Sequence, residues 1–305
     1  AVRKLEVDDY FFQSDIDGNQ TTQKNFNFNL RWGIPVRYHD FSKFSQRINP
    51  DIYEFHLSYK DLELDFNNFI PNQVQSSLVV HAPELFENDH ILDLTSTDLE
   101  YRNRSIELLQ RVVDLSNKLS SMFVVRSKVP IVVNVGGFSV DKNISSELKQ
   151  EKLKLLEDSF GKINLGITEL LPQSMPPFPW HFGGQRFHNL FVTDDDLSSF
   201  CEKFNSRICL DISHSYLSAK LLNIPFDIFL KNVAKYSAHY HFADANNLNG
   251  EGIQVGEGDI DFECVIKIVQ EESPDASFIP EVWQGHKDNG SGFWKALNFL
   301  ERQNL

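Results

Sequence analysis

Acidic, imidazole and amide side chains recur at the carboxyl ends of short apolar runs in this 305-residue chain. In the segment "RICLDISHSY", an apolar run ends at Asp211, and His214 follows three positions later. Burying such groups costs free energy unless they are paired or hydrogen-bonded. Asp211 alone is explained as well by a cap on the next helix. Whether Asp211 is a helix cap or part of a functional site therefore depends on whether other apolar runs end in the same way.

Most of the predicted strands after the second do end in this way. The polar residues at these positions are His81, Asn134, Glu169, Asp211, His214, His241, Asp244 and Glu281. If the strands form a parallel barrel, their carboxyl ends meet at one mouth, which is where barrel enzymes carry their active sites. We therefore expect these side chains to line a single site.

Four of these residues form a candidate metal site, namely Glu169, Asp211, His241 and Glu281. Three carboxylates in one cavity repel each other, and some take up protons unless a cation is present. Three oxygen donors and one imidazole suit Mn²⁺, Mg²⁺, Co²⁺ or Zn²⁺. His239 competes for the imidazole role, because strand alternation places it on the same face as His241. His241 is preferred since it lies nearer the end of its strand.

Eight short apolar runs are predicted to be the strands that position these residues. They span 33–38, 51–57, 77–81, 130–135, 163–170, 207–211, 237–242 and 277–282. Between them the apolar period becomes helical, as in 106–119, 262–269 and 292–301. This alternation favours an α/β fold, a parallel (β/α)₈ TIM barrel. The alternative is a doubly wound open sheet, whose dinucleotide-binding version would carry a GxGxxG motif after an early strand.

Composition limits the partners and the compartment. The chain has 29 Lys and Arg against 43 Asp and Glu, a formal charge of −14, which disfavours binding to nucleic acid. Cys201, Cys209 and Cys264 are far apart and lack CxxC spacing, which indicates a reducing compartment. With no secretory or membrane-spanning run, we expect a soluble cytoplasmic protein.

The barrel is expected to form a single domain over residues 31–305. Residues 1–30 are rich in Gly, Asn, Gln and Thr in their middle part, and we interpret them as an N-terminal extension or linker remnant. The initial Ala is consistent with processing or with excision of a domain from a longer chain.

The ordered motifs resemble those of the xylose isomerase-like TIM barrels, a superfamily of sugar isomerases, epimerases and AP endonuclease-type proteins. The resemblance runs from about residue 31 to the end and rests on "VHAP", "GITELLP", "ICLDISH", "HFAD", "GEGDIDF" and "IPEVWQGH". It implies that the metal ligands are Glu169, Asp211, His241 and Glu281. It also implies that His214 contacts a substrate oxygen and that the two glutamates act as acid and base.

The chemistry that this resemblance implies is proton transfer next to a carbonyl. A divalent metal that chelates the carbonyl and neighbouring hydroxyl of a ketose stabilises an enediolate. Glu169 and Glu281 would remove a proton and return it. Return to the opposite face epimerises the sugar, and return to the next carbon isomerises it. The expected substrate is a small-molecule sugar or sugar derivative.

Two other functions compete with this hypothesis. One is AP endonuclease-like phosphodiester hydrolysis. The resemblance to the nuclease branch would require a histidine where this chain has Asn134, and a DxH pair where it has "GDIDF" with Asp259 and Asp261. The other is a non-catalytic sugar-binding barrel. "GIPVRYHDF" and "EFHLSYKDLELD" resemble a domain associated with sialic acid synthase-like proteins of nonulosonic acid biosynthesis, which would make the substrate an amino sugar.

Further substrate contacts are predicted outside the strands. Trp180, in the loop "PPFPWHFGGQRFH", is suited to stacking on a sugar or to packing over the barrel. Arg186 in the same loop would meet a carboxylate or phosphate. His286 follows Glu281 closely enough to line the pocket, whereas Trp283 is expected to pack against the protein. His81, Asn134 and Asp244 complete the predicted substrate contacts.

Overall fold

The computed structural model describes residues 25–181 and 184–305, and these form an eight-stranded parallel barrel. The barrel strands β1 to β8 are Arg31–Val36, Ile52–His56, Ser77–His81, Val129–Val133, Thr168–Pro172, Ile208–Asp211, Ser237–Phe242 and Ser277–Pro280. Strand β8 pairs in parallel with β1. A parallel bridge between Gln173 and Cys209 joins the ends of β5 and β6. The predicted (β/α)₈ barrel is confirmed.

Helices follow the strands and cover the outside of the barrel. Helices α1 to α8 are Tyr38–Ser45, Leu99–Leu119, Ser146–Gly161, Asp194–Phe204, Ile212–Leu222, Phe226–Val233, Phe262–Glu272 and Lys287–Arg302. The predicted apolar faces of α2, α7 and α8 are buried in the core between helices and sheet. Within the described part of the chain, each helix is too short or too polar to cross a membrane.

Strand alternation divides the barrel interior into layers. An apolar layer fills the middle and contains Ile52, Val79, Val132, Leu171, Cys209, Ala238 and Ile279. Side chains two positions apart share a face of a strand, so each inward-facing row continues toward the carboxyl end. The last inward residue of each row lies at or just after the end of its strand, and we call these residues the mouth layer: Arg37, His56, His81, Asn134, Gln173, Asp211, His241 and Glu281. The barrel thus brings one side chain from each strand to its mouth.

The fifth strand begins later than predicted, at Thr168 rather than at residue 163. The preceding turn includes Gly166, whose φ of 59° lies in the left-handed region. Glu169 is therefore the second residue of β5, at the amino end of the barrel, where it forms an ion pair with Arg207. The expectation that Glu169 lies at the mouth is wrong, and Gln173 occupies that position.

Residues 25–30 pack against the outer side of strands β1 and β8 and against the C-terminal segment. Phe26 is buried and packs edge-on against Trp32 with ring centroids 5.1 Å apart. The ring centroid of Phe28 lies 5.0 Å from that of Phe278. The backbone N–H of Asn29 donates to the carbonyl oxygen of Leu305 at 2.8 Å. The rest of the predicted extension, residues 1–24, lies outside the described residues.

Candidate active site

A cavity of about 570 Å³ opens at the carboxyl end of the barrel. Its lower wall is formed by mouth-layer residues, including His56, His81, Gln173, Asp211 and Glu281. Loops after the strands form the upper wall and contribute Trp180, Glu251, Trp283, His286 and Lys287, among others. This volume lies within the range of roughly 300–1,000 Å³ that is typical of small-molecule sites.

The most closely packed polar groups of the cavity surround His241. Nδ1 of His241 lies 2.7 Å from Oε2 of Glu281 and 3.9 Å from Oδ2 of Asp211. The amide nitrogen of Gln173 lies 3.1 Å from Nδ1. His241 is itself completely buried, at the end of the inward-facing row of β7. Side chains from β5, β6 and β8 therefore converge on one imidazole nitrogen from β7.

The other nitrogen of His241 is held by a buried carboxylate. Nε2 lies 3.0 Å from Oε1 of Glu54, which is completely buried one layer below the mouth. Glu54 also accepts from Nε2 of His239 at 2.6 Å. Burial alone would raise the pKa of Glu54, but the charge of His241 and the hydrogen bonds of His241 and His239 hold it well below its ordinary value. Glu54 thus leaves Nδ1 as the nitrogen that faces Glu281, Asp211 and Gln173, which line the cavity.

The competing histidine, His239, lies deeper in the barrel. Its Nδ1 hydrogen-bonds with the hydroxyl of Ser277 at 2.8 Å, and its Nε2 contacts Glu54. Burial lowers the pKa of His239, which is neutral in this environment. Both of its nitrogens are used inside the protein, which leaves His241 as the imidazole beside the acidic residues.

The residues around His241 fit a divalent cation. Ligand atoms of His81, His241 and Glu281 lie within 4.8 Å of one another, and Asp211 adds a carboxylate beside His241. Oxygen and imidazole donors of this kind suit Mn²⁺, Mg²⁺, Co²⁺ or Zn²⁺. The Glu54–His241 contact is the arrangement by which carboxylates orient metal-binding histidines. Gln173 adds a neutral amide where the sequence predicted a third carboxylate.

The protonation of this group reflects its mutual contacts. Burial lowers the pKa of His241, but Cys209, Glu281 and Glu54 together raise it well above its ordinary value. Burial raises the pKa of Glu281, but the charge and hydrogen bond of His241 outweigh this effect and hold it below the ordinary value. The Glu281 carboxylate is therefore ionised at neutral pH.

His214 lies beside this group, as the sequence predicted, and is held by three acceptors. Nδ1 lies 2.9 Å from the carbonyl oxygen of Ser174 and 3.5 Å from Oδ2 of Asp211. Nε2 lies 3.3 Å from Oε2 of Glu251. Burial lowers the pKa of His214, but Asp211 and Glu251 raise it to about 10. His214 is therefore an imidazolium at neutral pH.

Other predicted substrate contacts divide into two groups. His81, Asn134, Trp180 and His286 line the cavity, and Asn134 is hydrogen-bonded to Glu84. Arg186 is absent from the cavity wall, and its backbone N–H donates to the carbonyl oxygen of Pro179 at 2.9 Å. The loop after β5 therefore presents Trp180, rather than Arg186, to the cavity.

Asp244 has a structural role instead of the predicted substrate contact. It is completely buried, and its carboxylate accepts from the backbone N–H groups of Ala245, Gly256, Gly258 and Ile260 at 2.9–3.1 Å. These contacts occupy both carboxylate oxygens. The prediction that Asp244 contacts substrate is therefore wrong, because the residue is used to fold the segment after β7.

The two aspartates considered for nuclease chemistry also have structural contacts. Asp261 accepts from the backbone N–H of Cys264 at 3.2 Å and caps α7. Asp259 lies 3.3 Å from Nζ of Lys220 in an exposed ion pair. Neither residue lines the cavity at the mouth.

Comparison with known proteins identifies related folds. Residues 50–303 match the family described as xylose isomerase-like TIM barrel. A D-tagatose 3-epimerase-like protein is 19% identical, with a TM-score of 0.61 over 90% of this chain and 96% of that chain. L-ribulose 3-epimerase is 14% identical, with a TM-score of 0.59 over 90% and 94%. A 3-keto-D-glucoside 4-epimerase from E. coli is 13% identical, with a TM-score of 0.61 over 90% and 100%. A search of curated protein sequences finds no match.

Proposed function

Because the chain belongs to the xylose isomerase-like TIM barrel family, we propose that it is a divalent-metal-dependent sugar isomerase or epimerase. The reaction would be proton transfer next to a carbonyl through an enediolate. The observation that carries this proposal is the contact of 2.7 Å between Glu281 and His241 at the cavity floor, beside Asp211. The similarity of the fold to sugar epimerases supports the class of substrate.

Three residues are proposed as the principal metal ligands: Asp211, His241 and Glu281. His81 and Gln173 lie close enough to complete the set: ligand atoms of His81, His241 and Glu281 lie within 4.8 Å of one another, and the Gln173 amide nitrogen lies 3.1 Å from His241 Nδ1. When bound there, a divalent ion would supply a Lewis acid that polarises the substrate carbonyl. The remaining steps depend on side chains of this chain.

Glu281 is the proposed base. Its side chain is 29% exposed, so one face of the carboxylate is open to the cavity. Because its pKa is held below the ordinary value, the group is ionised and accepts a proton from the carbon next to the carbonyl. Donors fixed in advance, such as the imidazolium of His214, stabilise the negative charge that develops on substrate oxygen.

The position of Glu169 limits how the proton returns. Gln173, which replaces it at the mouth, is an amide and does not exchange protons as an acid or base at neutral pH. Glu281 alone accounts for transfer between neighbouring carbons on one face of the enediolate, which is isomerisation. Epimerisation needs a second proton-transfer group on the opposite face of the enediolate. The contacting residues Glu251 and His214 are proposed for this role, and His214 follows β6, the neighbour of the strand that carries His241.

Deuterium exchange tests this proposal directly. The purified protein, stripped of metal and reloaded with Mg²⁺, Mn²⁺ or Co²⁺, would be incubated in D₂O with a panel of aldoses and ketoses. We expect deuterium on the carbon next to the carbonyl, detected by NMR. The accompanying products distinguish isomerisation from epimerisation.

Two matched glutamate variants sharpen this experiment. Glu281→Gln should abolish exchange while preserving the fold, whereas Glu169→Gln should retain it because Glu169 lies at the opposite end of the barrel. Lack of exchange with the whole panel in every metal-loaded form would contradict the proposed reaction. Retention of exchange by Glu281→Gln would remove Glu281 from the role of base.

A further inference from the structure

We propose that the upper part of the cavity binds the non-reacting ring of a ketose disaccharide or ketose glycoside, with Trp180 and Trp283 as its stacking surfaces. The placement of the reacting ring beside Glu281 rests on the proposed function. The binding of the second ring rests on separate observations, namely the exposure of the two indoles, their attachment to different walls, and the size of the cavity.

The two indoles are the most exposed large apolar side chains among the described residues. Trp283 is 78% exposed and Trp180 is 64% exposed, and both line the cavity. The other two tryptophans, Trp32 and Trp294, are buried in the core. Leaving an indole in water forgoes a large gain in hydrophobic free energy. A ligand that covers both rings accounts for their exposure at this one place.

The exposed position of Trp283 differs from the packing role that the sequence suggested. Its backbone N–H donates to the carbonyl oxygen of Gly252 at 2.8 Å, which attaches it to the strand Gly250–Ile253. Gly252 has a φ of 68° and itself lines the cavity. The backbone contact fixes the main chain of Trp283, while its side chain stays exposed at the cavity wall.

Trp180 approaches the cavity from a different loop. It follows β5 and belongs to a short antiparallel pair in which Trp180 is opposite Gln185. Trp283 follows β8, and two strands separate β5 from β8 in the barrel. The two indoles therefore belong to different walls, as expected for aromatic rings that hold a ligand between them.

The size and polarity of the cavity fit a ligand with two sugar rings. A volume of about 570 Å³ corresponds to a drug-sized ligand, which is larger than a monosaccharide. A pyranose ring has an apolar C–H face that stacks on an aromatic ring, whereas its hydroxyls need polar partners. Gln284, His286 and Lys287 line the cavity next to Trp283 and supply such partners.

Binding and turnover of ketose disaccharides test this inference. The probes are turanose, palatinose, leucrose, maltulose and lactulose, compared with D-fructose and D-tagatose, on the Mg²⁺-loaded protein of residues 1–305. Tryptophan fluorescence gives the Kd, and deuterium exchange gives kcat/KM. We expect at least one disaccharide to bind about tenfold more tightly than either monosaccharide, a difference of about 1.4 kcal/mol.

Replacing each indole separately tests whether Trp180 and Trp283 cause the difference in affinity between disaccharides and monosaccharides. Trp180→Ala and Trp283→Ala should each weaken disaccharide binding about tenfold and leave monosaccharide binding unchanged. Ile228→Ala is the matched control, because Ile228 is an apolar residue that is 47% exposed on α6 and lies outside the cavity wall. It should change neither affinity.

The outcomes separate this inference from the proposed reaction. Disaccharide binding that depends on the indoles, without deuterium exchange of any sugar, would support the second-ring site and contradict the reaction. Exchange of a monosaccharide, with no disaccharide bound more tightly and no effect of either replacement, would overturn the second-ring site. A replacement that alters only the sedimentation coefficient would also overturn it, since the indoles would then contact a second copy of the chain.

Discussion

Oε1 of Glu54 lies 3.0 Å from Nε2 of His241, and both side chains are completely buried. The same carboxylate contacts His239 at 2.6 Å and Nε2 of His56 at 2.9 Å. Three imidazoles therefore surround one acid directly below the mouth layer. By its contact with Nε2, Glu54 leaves Nδ1 of His241 as the nitrogen that faces Glu281 and Asp211, and Glu54 does not itself line the cavity.

Replacing Glu54 tests this positioning role. Glu54→Gln retains the size of the side chain but removes its charge, so we expect the affinity for Mn²⁺ to fall by about 10- to 100-fold. Isothermal titration calorimetry measures this affinity, and ¹⁵N NMR of the imidazoles reports a change of the His241 tautomer. Glu169→Gln is the control and should alter neither. An unchanged tautomer with unchanged affinity would show that Glu54 does not orient His241.

The amide at residue 173 gives a second test of the metal site. Gln173→Glu would add a carboxylate beside Asp211 and His241, and we expect it to increase Mn²⁺ affinity by about tenfold or more. In the presence of a chelator, the same variant should have a lower Tm because the added carboxylate is close to those of Asp211 and Glu281. Gln173→Met is the uncharged control. Equal affinities of the Glu and Met variants would place the metal away from residue 173.

The loss of Asp244 should destabilise the fold. Asp244→Ala removes a carboxylate that accepts four backbone N–H groups, and hydrogen bonds to charged groups contribute about 1.5–3 kcal/mol each. We expect the free energy of unfolding, measured in urea, to fall by more than about 3 kcal/mol. Asp259→Ala removes an exposed ion pair and should cost less than about 1 kcal/mol. Similar losses in both variants would contradict the folding role assigned to Asp244.

The stability of the folded protein should depend on pH through His90, which lies away from the mouth layer. Burial, together with the charge of Arg104, lowers its pKa below the ordinary value of 6.5. The unfolded chain therefore binds a proton more readily, and the stabilisation associated with neutral His90 is present above about pH 6.5 and lost as the pH falls below it.

A variant isolates this effect from the titration of other groups. The Tm advantage of the wild type over His90→Gln should decrease as the pH is lowered from about 7.5 to 5.5. Nε2 of His90 lies 2.9 Å from the hydroxyl of Ser105, a contact that the Gln side chain can preserve. A Tm difference that is constant over this interval would show that the His90 pKa is unchanged on folding.

The sequence was sufficient to predict the barrel and most of its mouth, because apolar strands with a period of two are strongly patterned. Asp211, His241 and Glu281 each lie two positions after a residue of the interior, namely Cys209, His239 and Ile279. The error at Glu169 came from the start of β5. Gly166 ends a turn there, so the inward row runs from Glu169 through Leu171 to Gln173.

Other parts of the site had no local signal. Glu251 lies on a strand after β7, and its contact with His214 depends on how that segment folds back over the mouth. The fold of this segment depends in turn on the backbone contacts of Asp244, which join residues far apart in the loop. Trp283 appeared to be a packing residue because exposure of an indole cannot be deduced from an apolar sequence context. The roles of Glu251 and Trp283 therefore depend on the tertiary structure and not on the local sequence.

The contact between Asn29 and Leu305 makes a circular permutation of the barrel feasible. Their backbones are within hydrogen-bonding distance at 2.8 Å, on the side of the barrel opposite the cavity. A brief linker from Leu305 to Asn29 would therefore suffice in a circular permutant of residues 29–305, which gives up the packing of Phe26 and Phe28. New ends opened in the exposed turn 247–249 would lie next to the strand that carries Glu251. In such a permutant, the strand that carries Glu251 would have a free chain end on one side. Strands β8 and β1, which already pair in the barrel, would then be connected along the chain through α8 and the linker.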